Sequence, residues 1–325
     1  MTKKTNLADI KGNFKGKDIV SLDQFSPKDI SILFKQAKIM KQIAVNSRPS
    51  ELLKGNIVTL IFYEPSSRTF SSFSASVKQL GGATIEYQDP QRVSSVSKGE
   101  TLADTIRVFE AYSDAIVIRH PIAGTAEIAA SHAEFVPVIN AGDGIGEHPT
   151  QALLDFFTIF EKKGKLDNLT GLFAGDMLNG RTVHSIIRGL SKYKNNTLYL
   201  LSPKSLKLDK DLLSKFKNSG TKLIEIESEK EIPKNADFWY WTRVQKERFS
   251  SLKEYEKVKT SFILTPDLIK KYAGKETIFM HPLPRVGEID PEVDKNPNAL
   301  YLRSEIRNGM YVRMALLALV LGKVK

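Results

Sequence analysis

Short apolar runs alternate with helical patterns along almost the whole chain. The runs are rich in β-branched and aromatic residues, as in residues 57–63, 169–174 and 238–242, and amphipathic stretches separate them. A strand followed by a helix and another strand pairs in parallel, because the helix supplies the crossover that a parallel neighbour needs. The pattern therefore predicts parallel sheets covered by helices, the α/β class.

The alternation falls into two blocks, which indicates two domains. A chain of 325 residues is longer than one hydrophobic core usually serves. We predict two doubly wound parallel-sheet domains, residues 1–149 and residues 150–303, with a C-terminal helix at about 304–325 that packs back toward the first domain. Residues 1–17 are polar and are predicted to be loosely held, and residues 140–147 are predicted to form a glycine-rich loop.

The segment Gly55–Gly82 forms a strand, a short loop and a helix in this prediction, and it carries the sharpest chemical signal. Its loop presents Ser66, Ser67, Arg68 and Thr69 where the helix begins. Unpaired backbone N–H groups and the positive end of the helix dipole favour an anion at such a position, so the loop is a candidate phosphate site. Serine is also a common helix cap, and capping is the alternative interpretation. Capping needs only one hydroxyl, however, and it does not explain the arginine.

Other polar residues also follow predicted strands. Arg119 ends one strand, His148 follows the glycine-rich loop after another, and Arg243 and Leu283 come after two strands of the second block. In open α/β sheets, ligands bind at the carboxyl ends of the strands. The sequence therefore predicts that these residues line ligand-binding edges.

Composition and motifs exclude several kinds of site. The chain has no cysteine, and its five histidines lack the spacing of metal ligands, so we predict neither thiol chemistry nor a bound metal. The loop from Gly142 to Glu147 departs from the dinucleotide fingerprint, because Glu147 stands where the third glycine belongs and would repel a pyrophosphate. Walker A and GxSxG motifs do not occur.

Charge and hydropathy bear on partners and location. The net charge of +11 allows a nucleic-acid partner, but the lysines are interleaved with acidic and apolar residues, which favours a solvated surface and no nucleic acid. The longest apolar run, residues 314–321, is far shorter than the roughly 20 residues of a membrane span. Residues 1–20 lack the apolar core of a secretory signal, so we predict a cytoplasmic protein without a membrane partner.

Seven short motifs occur in order on these predicted elements. They are SSRT at 66–69, KGETL at 98–102, RHP at 119–121, HPTQ at 148–151, GRTVH at 180–184, TRVQKER at 242–248 and HPLP at 281–284. From about residue 15 to its C-terminus, the chain resembles the carbamoyltransferases, most closely the catalytic chains that act on aspartate. The resemblance implies transfer of the carbamoyl group of carbamoyl phosphate to the α-amine of L-aspartate in pyrimidine synthesis, without a cofactor.

The resemblance also implies roles for individual residues. It makes residues 1–149 the carbamoyl phosphate domain and residues 150–303 the aspartate domain. Carbamoyl phosphate would contact Ser66, Ser67, Arg68, Thr69, Arg119, His148 and Gln151, and aspartate would contact Lys98, Arg181, Arg243, Gln245, Leu283 and Pro284. Arg68, Thr69, Lys98, Arg119 and His148 would be catalytic, and Ser94 and Lys98 would reach the site of a neighbouring subunit in a homotrimer. Whether a separate regulatory chain binds stays open.

The chemistry by itself calls for such a set of cations. Carbamoyl phosphate is a dianion and aspartate carries two carboxylates, and the planar fork of arginine suits both kinds of anion. Carboxylates would repel these substrates, so we predict that Glu64 and Glu100, like Arg248, form ion pairs that orient the loops.

The chain departs from the family pattern, and two rival hypotheses remain. Phe70 stands where arginine is common, Ser74 where glutamate is common, and Ser67 where threonine is frequent, so an ion pair that supports the phosphate helix is expected to be missing. One rival is a carbamoyltransferase that acts on another acceptor such as ornithine, although that enzyme usually has a cysteine in the HPLP region. The other is a basic protein that binds phosphate or nucleic acid without catalysis.

Overall fold

The computed structural model describes residues 8–46, 50–93, 95–216, 219–245, 249, 251–259 and 261–325. The chain divides into two compact units: unit 1 is Met1–Leu154 with Arg307–Lys325, and unit 2 is Asp155–Ile306. Both boundaries fall inside helices, whereas the sequence-based ranges end where those helices begin. The assignment of one substrate to each domain stays a prediction.

Unit 1 is built on a four-stranded parallel sheet in the order β2-β1-β3-β4. Its strands are β1 Ile57–Phe62, β2 Ala83–Gln88, β3 Ala115–His120 and β4 Val138–Asp143. Its helices are α1 Pro27–Val45, α2 Ser67–Gln79, α3 Pro90–Val93, α4 Leu102–Glu110, α5 Thr125–His132, the start of α6 Pro149–Lys163 and most of α11 Ser304–Val320. Short 3₁₀ turns occupy Leu22–Gln24 and Ser95–Lys98.

Unit 2 is built on a five-stranded parallel sheet in the order β7-β6-β5-β8-β9. Its strands are β5 Thr170–Ala174, β6 Asn196–Leu201, β7 Thr221–Ile226, β8 Phe238–Trp241 and β9 Ile278–Met280. Its own helices are α7 Arg181–Leu190, α8 Lys210–Phe216, α9 Leu252–Val258 and α10 Pro266–Tyr272, with 3₁₀ turns at Lys204–Leu206, Glu229–Glu231 and Pro291–Lys295. The two parallel-sheet units with flanking helices confirm the predicted fold class.

Each sheet is buried because its central strands are apolar on both faces. The core of unit 1 includes Ile61, Ile116 and Val138, all fully buried. The core of unit 2 includes Trp239 and Trp241, whose side chains are also fully buried. Strands buried on both sides read as continuous apolar runs rather than alternating ones, which is the pattern that the sequence shows.

Local capping fixes where several helices begin. The Ser26 side chain accepts a hydrogen bond from Asp29 N at the start of α1, and Pro27 is the first helical residue. Thr101 and Thr265 cap α4 and α10 in the same way. Such a cap satisfies an N–H group that has no partner within the helix.

Two local expectations were wrong, and two helices were missed. Residues 1–17 were expected to be loosely held; residues 1–7 lie outside the described residues, but in the remainder Ile10 and Phe14 are buried, and the Phe14 ring packs on Phe25 with a centroid distance of 6.0 Å. The predicted glycine-rich loop at 140–147 begins later, because β4 continues to Asp143. Helices α9 and α10 were not predicted.

Candidate active site

The two sheets share a topological feature, a switch point at which the strand order reverses. In unit 1 the first strand, β1, lies between β2 and β3, and in unit 2 the first strand, β5, lies between β6 and β8. In open α/β sheets, ligands bind outside the carboxyl ends of the strands at such a point. Each unit therefore has one candidate ligand edge, formed in unit 1 by the loops after β1 and β3 and in unit 2 by those after β5 and β8.

The loop after β1 presents its hydroxyls at the first turn of α2. Ser66 occupies the N-cap position, yet its side chain makes no capping hydrogen bond, in contrast to Ser26. Ser66 is half-buried, Ser67 and Arg68 are exposed, and Thr69 is buried. The hydroxyl of Ser66 is thus not used for capping, which removes the main argument for the alternative interpretation of this loop.

Arg119, at the end of β3, is held from two sides. Its Nη2 atom forms a 2.5 Å ion pair with Glu64 Oε2, and its Nη1 atom donates a hydrogen bond to the Ala141 carbonyl oxygen at 3.2 Å. The side chain is 7% exposed although it carries a full charge. The ion pair that was predicted for Glu64 is confirmed, and it holds a guanidinium at the switch point of unit 1.

Gly142 lets two of the predicted site residues approach each other. Its φ is +115°, and a Cβ at this position would lie 2.8 Å from Arg119 Nη1 and 3.3 Å from His148 Cδ2. His148 is buried, and its Nε2 atom lies 3.5 Å from Thr69 Oγ1. The structure therefore brings Thr69, Arg119 and His148 together around a glycine that sequence analysis considered only as part of a failed dinucleotide motif.

Gln151 lies in the first turn of α6, and a buried arginine stands behind that turn. Arg313 Nη1 donates to Ser72 Oγ at 3.0 Å, and Arg313 Nη2 donates to Thr150 Oγ1 at 3.4 Å. Arg313 thus joins the second turn of α2, the helix that follows the loop after β1, to the first turn of α6, which follows His148. Sequence analysis missed this residue, although a charge inside the apolar run of α11 was a visible signal.

In unit 2, the loops after β5 and β8 are joined by a hydrogen bond. Gln245 Nε2 donates to the Asn179 carbonyl oxygen at 2.8 Å, and Asn179 N in turn donates to Asp176 Oδ1 at 2.8 Å. Burial raises the pKa of Asp176, and the hydrogen bonds from Asn179 offset only part of that rise. Arg181 begins α7 and Arg243 follows β8, both half-buried, so the structure places the predicted aspartate residues on neighbouring loops of one switch point.

The HPLP segment follows β9, the next strand of the same sheet. Leu283 N donates to His281 Nδ1 at 2.8 Å, so the ring proton lies on Nε2, which donates to Glu288 Oε1 at 2.7 Å. Burial acts to raise the pKa of Glu288, but the His281 hydrogen bond outweighs burial and the pKa lies below its usual value. Leu283 has a φ of +54°, which is uncommon for a branched residue. The His281 contacts hold this backbone in place, while Pro284 is exposed.

Two residues, Ser94 and Lys98, are predicted to serve a neighbouring subunit. Lys98 ends a 3₁₀ turn and is exposed. Ser94 and Arg248 lie outside the described residues. Glu100 accepts a hydrogen bond from Thr105 Oγ1 at 2.8 Å, which is not the ion pair that was predicted.

Two of the three departures from the family pattern, Phe70 and Ser74, are compensated locally. The Phe70 ring packs edge-on against Phe62 with a centroid distance of 5.2 Å. Ser74 Oγ donates to Glu86 Oε1 at 2.7 Å, and Lys78 Nζ reaches both Ser74 at 2.9 Å and Glu86 at 3.1 Å. The contacts of Glu86 with Ser74 and Lys78 therefore attach helix α2 to strand β2. Positions 70 and 74 themselves do not form the ion pair of the family pattern.

Among the residues that the structure describes, no helix is long and apolar enough to cross a membrane. Within the same residues, no group of three or more histidine, cysteine, aspartate or glutamate side chains is placed to hold a metal ion.

Comparison with known proteins agrees with this architecture of two α/β units that carry arginines at their switch points. Residues 17–161 match the family model "Aspartate/ornithine carbamoyltransferase, carbamoyl-P binding domain", and residues 167–320 match its "Asp/Orn binding domain". These matches extend over most of the chain. The chain belongs to the aspartate/ornithine carbamoyltransferase family.

Individual relatives agree with this assignment. The chain is 46% identical over 312 residues to the aspartate carbamoyltransferase catalytic subunit of Thermococcus gammatolerans, covering 95% of this chain and 99% of that one. It is 47% identical over 317 residues to the multifunctional protein pyr1-3 of Dictyostelium discoideum, covering 98% of this chain but 14% of that protein. The solved structure of aspartate transcarbamoylase from Trypanosoma cruzi with N-(phosphonacetyl)-L-aspartic acid has a TM-score of 0.88 at 40% identity, covering 95% of this chain and 97% of that one.

Proposed function

We propose that this protein transfers the carbamoyl group of carbamoyl phosphate to the α-amine of L-aspartate, giving N-carbamoyl-L-aspartate and phosphate for pyrimidine synthesis. The observation that carries the proposal is the pair of cationic switch points, one in each unit. The match to the aspartate carbamoyltransferase catalytic subunit of T. gammatolerans, which extends over 99% of that protein, supports it. The relative from T. cruzi binds a compound that joins a phosphonate to aspartate, as its name states. Such a compound has the charges of both proposed substrates.

The donor site belongs to unit 1. Ser66, Ser67, Arg68 and Thr69 are the proposed ligands of the phosphate group, because they lie at a helix N-terminus where N–H groups and the helix dipole favour an anion. Arg119, His148 and Gln151 are the proposed ligands of the carbamoyl group. The contact of Thr69 with His148 and the shared position of Arg119 and His148 around Gly142 support this division.

The acceptor site belongs to unit 2. Two arginines, Arg181 and Arg243, match the two carboxylates of aspartate in charge, and guanidinium groups bind carboxylates with two parallel hydrogen bonds. Ornithine carries an ammonium group in place of the side-chain carboxylate, and these arginines would repel it. Gln245 and the backbone of Leu283 and Pro284 complete the proposed set.

The reaction needs orientation and charge stabilisation rather than a covalent intermediate. The aspartate nitrogen forms a bond to the carbamoyl carbon, the bond from that carbon to the phosphate oxygen breaks, and the proton lost by the amine leaves on the phosphate. Negative charge grows on the carbamoyl oxygen meanwhile, and donors from Thr69, Arg119 and His148 would stabilise it. Removing one such donor typically lowers kcat by about 10² to 10³. Holding the reactants in contact contributes up to roughly 7 to 11 kcal/mol in ideal cases.

We also propose a cytoplasmic homotrimer in which Ser94 and Lys98 act in a neighbouring subunit. Lys98 is exposed in the single chain, as this role requires. Apolar side chains are exposed on and near α4 and α5, including Tyr112 at 60%, Ile128 at 51% and Phe135 at 62%. A contiguous patch of exposed apolar side chains is typical of a surface that becomes buried in an assembly. A partner with a regulatory role stays an open prediction.

An acceptor assay tests the function directly. Purified protein with carbamoyl phosphate should release phosphate and form a carbamoylated product with L-aspartate, and it should form none with L-ornithine. The opposite preference would overturn the acceptor assignment in favour of the ornithine hypothesis. Salt-sensitive binding of DNA or RNA with no turnover would support the non-catalytic hypothesis instead.

A pair of serine variants distinguishes the phosphate site from a helix cap. Because the Ser66 hydroxyl makes no capping bond, Ser66→Ala should change the free energy of unfolding by less than about 0.5 kcal/mol. It should nevertheless raise the KM for carbamoyl phosphate. The matched control is Ser26→Ala, which removes a real cap and should cost about 1 kcal/mol with unchanged kinetics. If Ser66→Ala and Ser26→Ala lose the same free energy of unfolding and both keep normal kinetics, then Ser66 is a helix cap and not a phosphate ligand.

A further inference from the structure

A cluster of polar side chains, most of them buried, links several elements of unit 2. Asp155 on α6 and Tyr240 on β8 are fully buried, and Glu305 on α11 is 2% exposed. Tyr240 Oη donates to Asp155 Oδ2 at 3.0 Å, and the Thr182 side chain hydrogen-bonds to Tyr240. Glu305 Oε2 accepts a hydrogen bond from His281 N at 3.3 Å. Sequence analysis singled out neither carboxylate.

The contact between Asp155 and Glu305 requires a proton. The two side chains are hydrogen-bonded to each other, and two ionised carboxylates have no hydrogen to share. Tyr240 donates to Asp155, which marks Asp155 as the charged partner and Glu305 as the partner that keeps the proton. Glu305 Oε1 is buried and accepts no hydrogen bond from the described residues, which leaves this oxygen available to carry the proton.

Burial and charge act on Glu305 in the same direction. Burial raises the pKa of the Glu305 carboxyl well above its usual value, and the negative charge of Asp155 adds to the rise. Two titratable groups of the described residues lie beside the pair: Tyr240 donates to Asp155, and His281 donates its ring proton to Glu288. The tyrosine stays protonated, since burial also raises its pKa well above the usual value.

The cluster contacts each segment that carries a proposed acceptor ligand. Thr182 directly follows Arg181, Tyr240 lies three residues before Arg243, and His281 lies two residues before Leu283. A single hydrogen-bonded chain thus joins α7, β8 and the loop after β9. Because Asp155, Tyr240 and Glu305 are buried, water cannot replace a contact that one of them loses.

We propose that Glu305 is a positioning residue for the acceptor: the proton that it shares with Asp155 holds in place the segments that carry Arg181, Arg243 and Leu283. The expected effect on acceptor binding rests on the proposed function, whereas the hydrogen-bonded cluster does not depend on it. Loss of the proton at alkaline pH leaves two anions in contact without solvent, and their repulsion separates these segments. Acceptor binding then weakens, while the carbamoyl phosphate residues of unit 1 are not part of the cluster.

The first test is kinetic and uses Glu305→Gln. An amide donates to Asp155 and accepts from His281 N as the protonated carboxyl does, but it does not titrate. Near pH 7 the variant should keep kcat and both KM values within about twofold, since the hydrogen bonds are conserved. At alkaline pH the KM of wild type for aspartate should rise relative to that of the variant, while the ratio of their KM values for carbamoyl phosphate stays constant. If the ratio of the wild-type KM for aspartate to that of Glu305→Gln stays constant up to the highest pH at which both proteins remain folded, the positioning role is wrong.

The second test needs no enzymatic activity, so it separates this inference from the proposed function. A carboxyl that stays protonated in the folded state and ionises in the unfolded state loses stability as pH rises from its ordinary pKa to the folded one. The unfolding constant of wild type in urea should therefore rise relative to that of Glu305→Gln by up to about tenfold per pH unit between pH 6 and 8. Glu292→Gln, at an exposed carboxylate paired with Lys295, is the control and should show no such slope. A flat ratio for Glu305→Gln would refute the shared proton itself.

Discussion

Substituting alanine for Gly142 tests how the donor site is assembled. The new methyl group would lie 2.8 Å from Arg119 Nη1, and an ordinary contact of at least 3.4 Å requires the guanidinium to move by about 0.6 Å. Arg119 has little room to do so, because it is bound to Glu64 at 2.5 Å and to the Ala141 carbonyl oxygen at 3.2 Å. His148 would also be crowded, at 3.3 Å.

Two contributions set the magnitude. A non-glycine residue in this backbone conformation costs roughly 1 to 3 kcal/mol. Displacing the Arg119 guanidinium weakens a charged hydrogen bond worth about 1.5 to 3 kcal/mol. We therefore expect Gly142→Ala to lose about 3 to 6 kcal/mol of unfolding free energy. Since a misplacement of about 1 Å can cost about 100-fold in rate, kcat/KM for carbamoyl phosphate should fall by roughly that factor.

Urea unfolding and steady-state kinetics measure the two effects, and Gly164→Ala is the matched control. Gly164 also has a positive φ, +73°, but a Cβ there meets nothing within 4 Å. The control should lose only the backbone contribution, roughly 1 to 3 kcal/mol, and keep normal kinetics. If Gly142→Ala loses no more stability than Gly164→Ala and retains wild-type kcat/KM, then Arg119 and His148 are not held as described.

Two further predictions concern the assembly and the unit 2 loops. If Lys98 acts across a subunit boundary, mixing an inactive Lys98→Ala variant with an inactive Arg119→Ala variant should restore partial activity. If activity does not recover although subunit exchange is demonstrated, each chain forms its active site alone. Arg285 forms a two-pronged ion pair with Asp294 at 2.5 and 2.6 Å, so Arg285→Met should cost about 1 to 2 kcal/mol in urea unfolding at pH 7. Because the Arg285 hydrogen bonds lower the pKa of Asp294, this difference should be present above about pH 3.8 and shrink as pH falls through the folded pKa; a difference that is unchanged in acid would contradict the pairing.

The fold class could be predicted because parallel strands buried on both faces leave a signal in local sequence. Apolar runs such as residues 57–62 and 238–241 are strands for that reason. The strand order could not be obtained in this way, since hydrogen-bonding partners lie far apart in sequence. The switch points between β1 and β3 and between β5 and β8 therefore became visible only in the structure.

Helices α9 and α10 were not predicted because their sequences show only a weak amphipathic pattern. Helix α10 carries a clear start signal, because Thr265 caps it and Pro266 is its first residue, but only Leu268 within it is buried. Helix α9 lacks even the cap, since Ser251 makes no capping hydrogen bond through its side chain. Short helices that bury little are specified by tertiary contacts more than by pattern.

The candidate site was predictable where charge chemistry limits the choice of residue. Arginines after strands marked the anion-binding edges, and the ion pair of Glu64 with Arg119 followed from the argument that a free carboxylate would repel the substrates. Supporting residues were harder to find, because their role depends on what they contact. Asp155 and Glu305 look like ordinary acidic residues until the fold buries them side by side.

The interleaving of the two units within the chain has a consequence for biosynthesis. Helix α11 contributes fully buried residues such as Val312 and Leu316 to unit 1, yet it follows the whole of unit 2 in sequence. A ribosome therefore completes the contiguous second unit before it delivers the last piece of the first. Until that helix emerges, the nascent first unit must carry an open apolar face, and this is the period in which a chaperone would matter most.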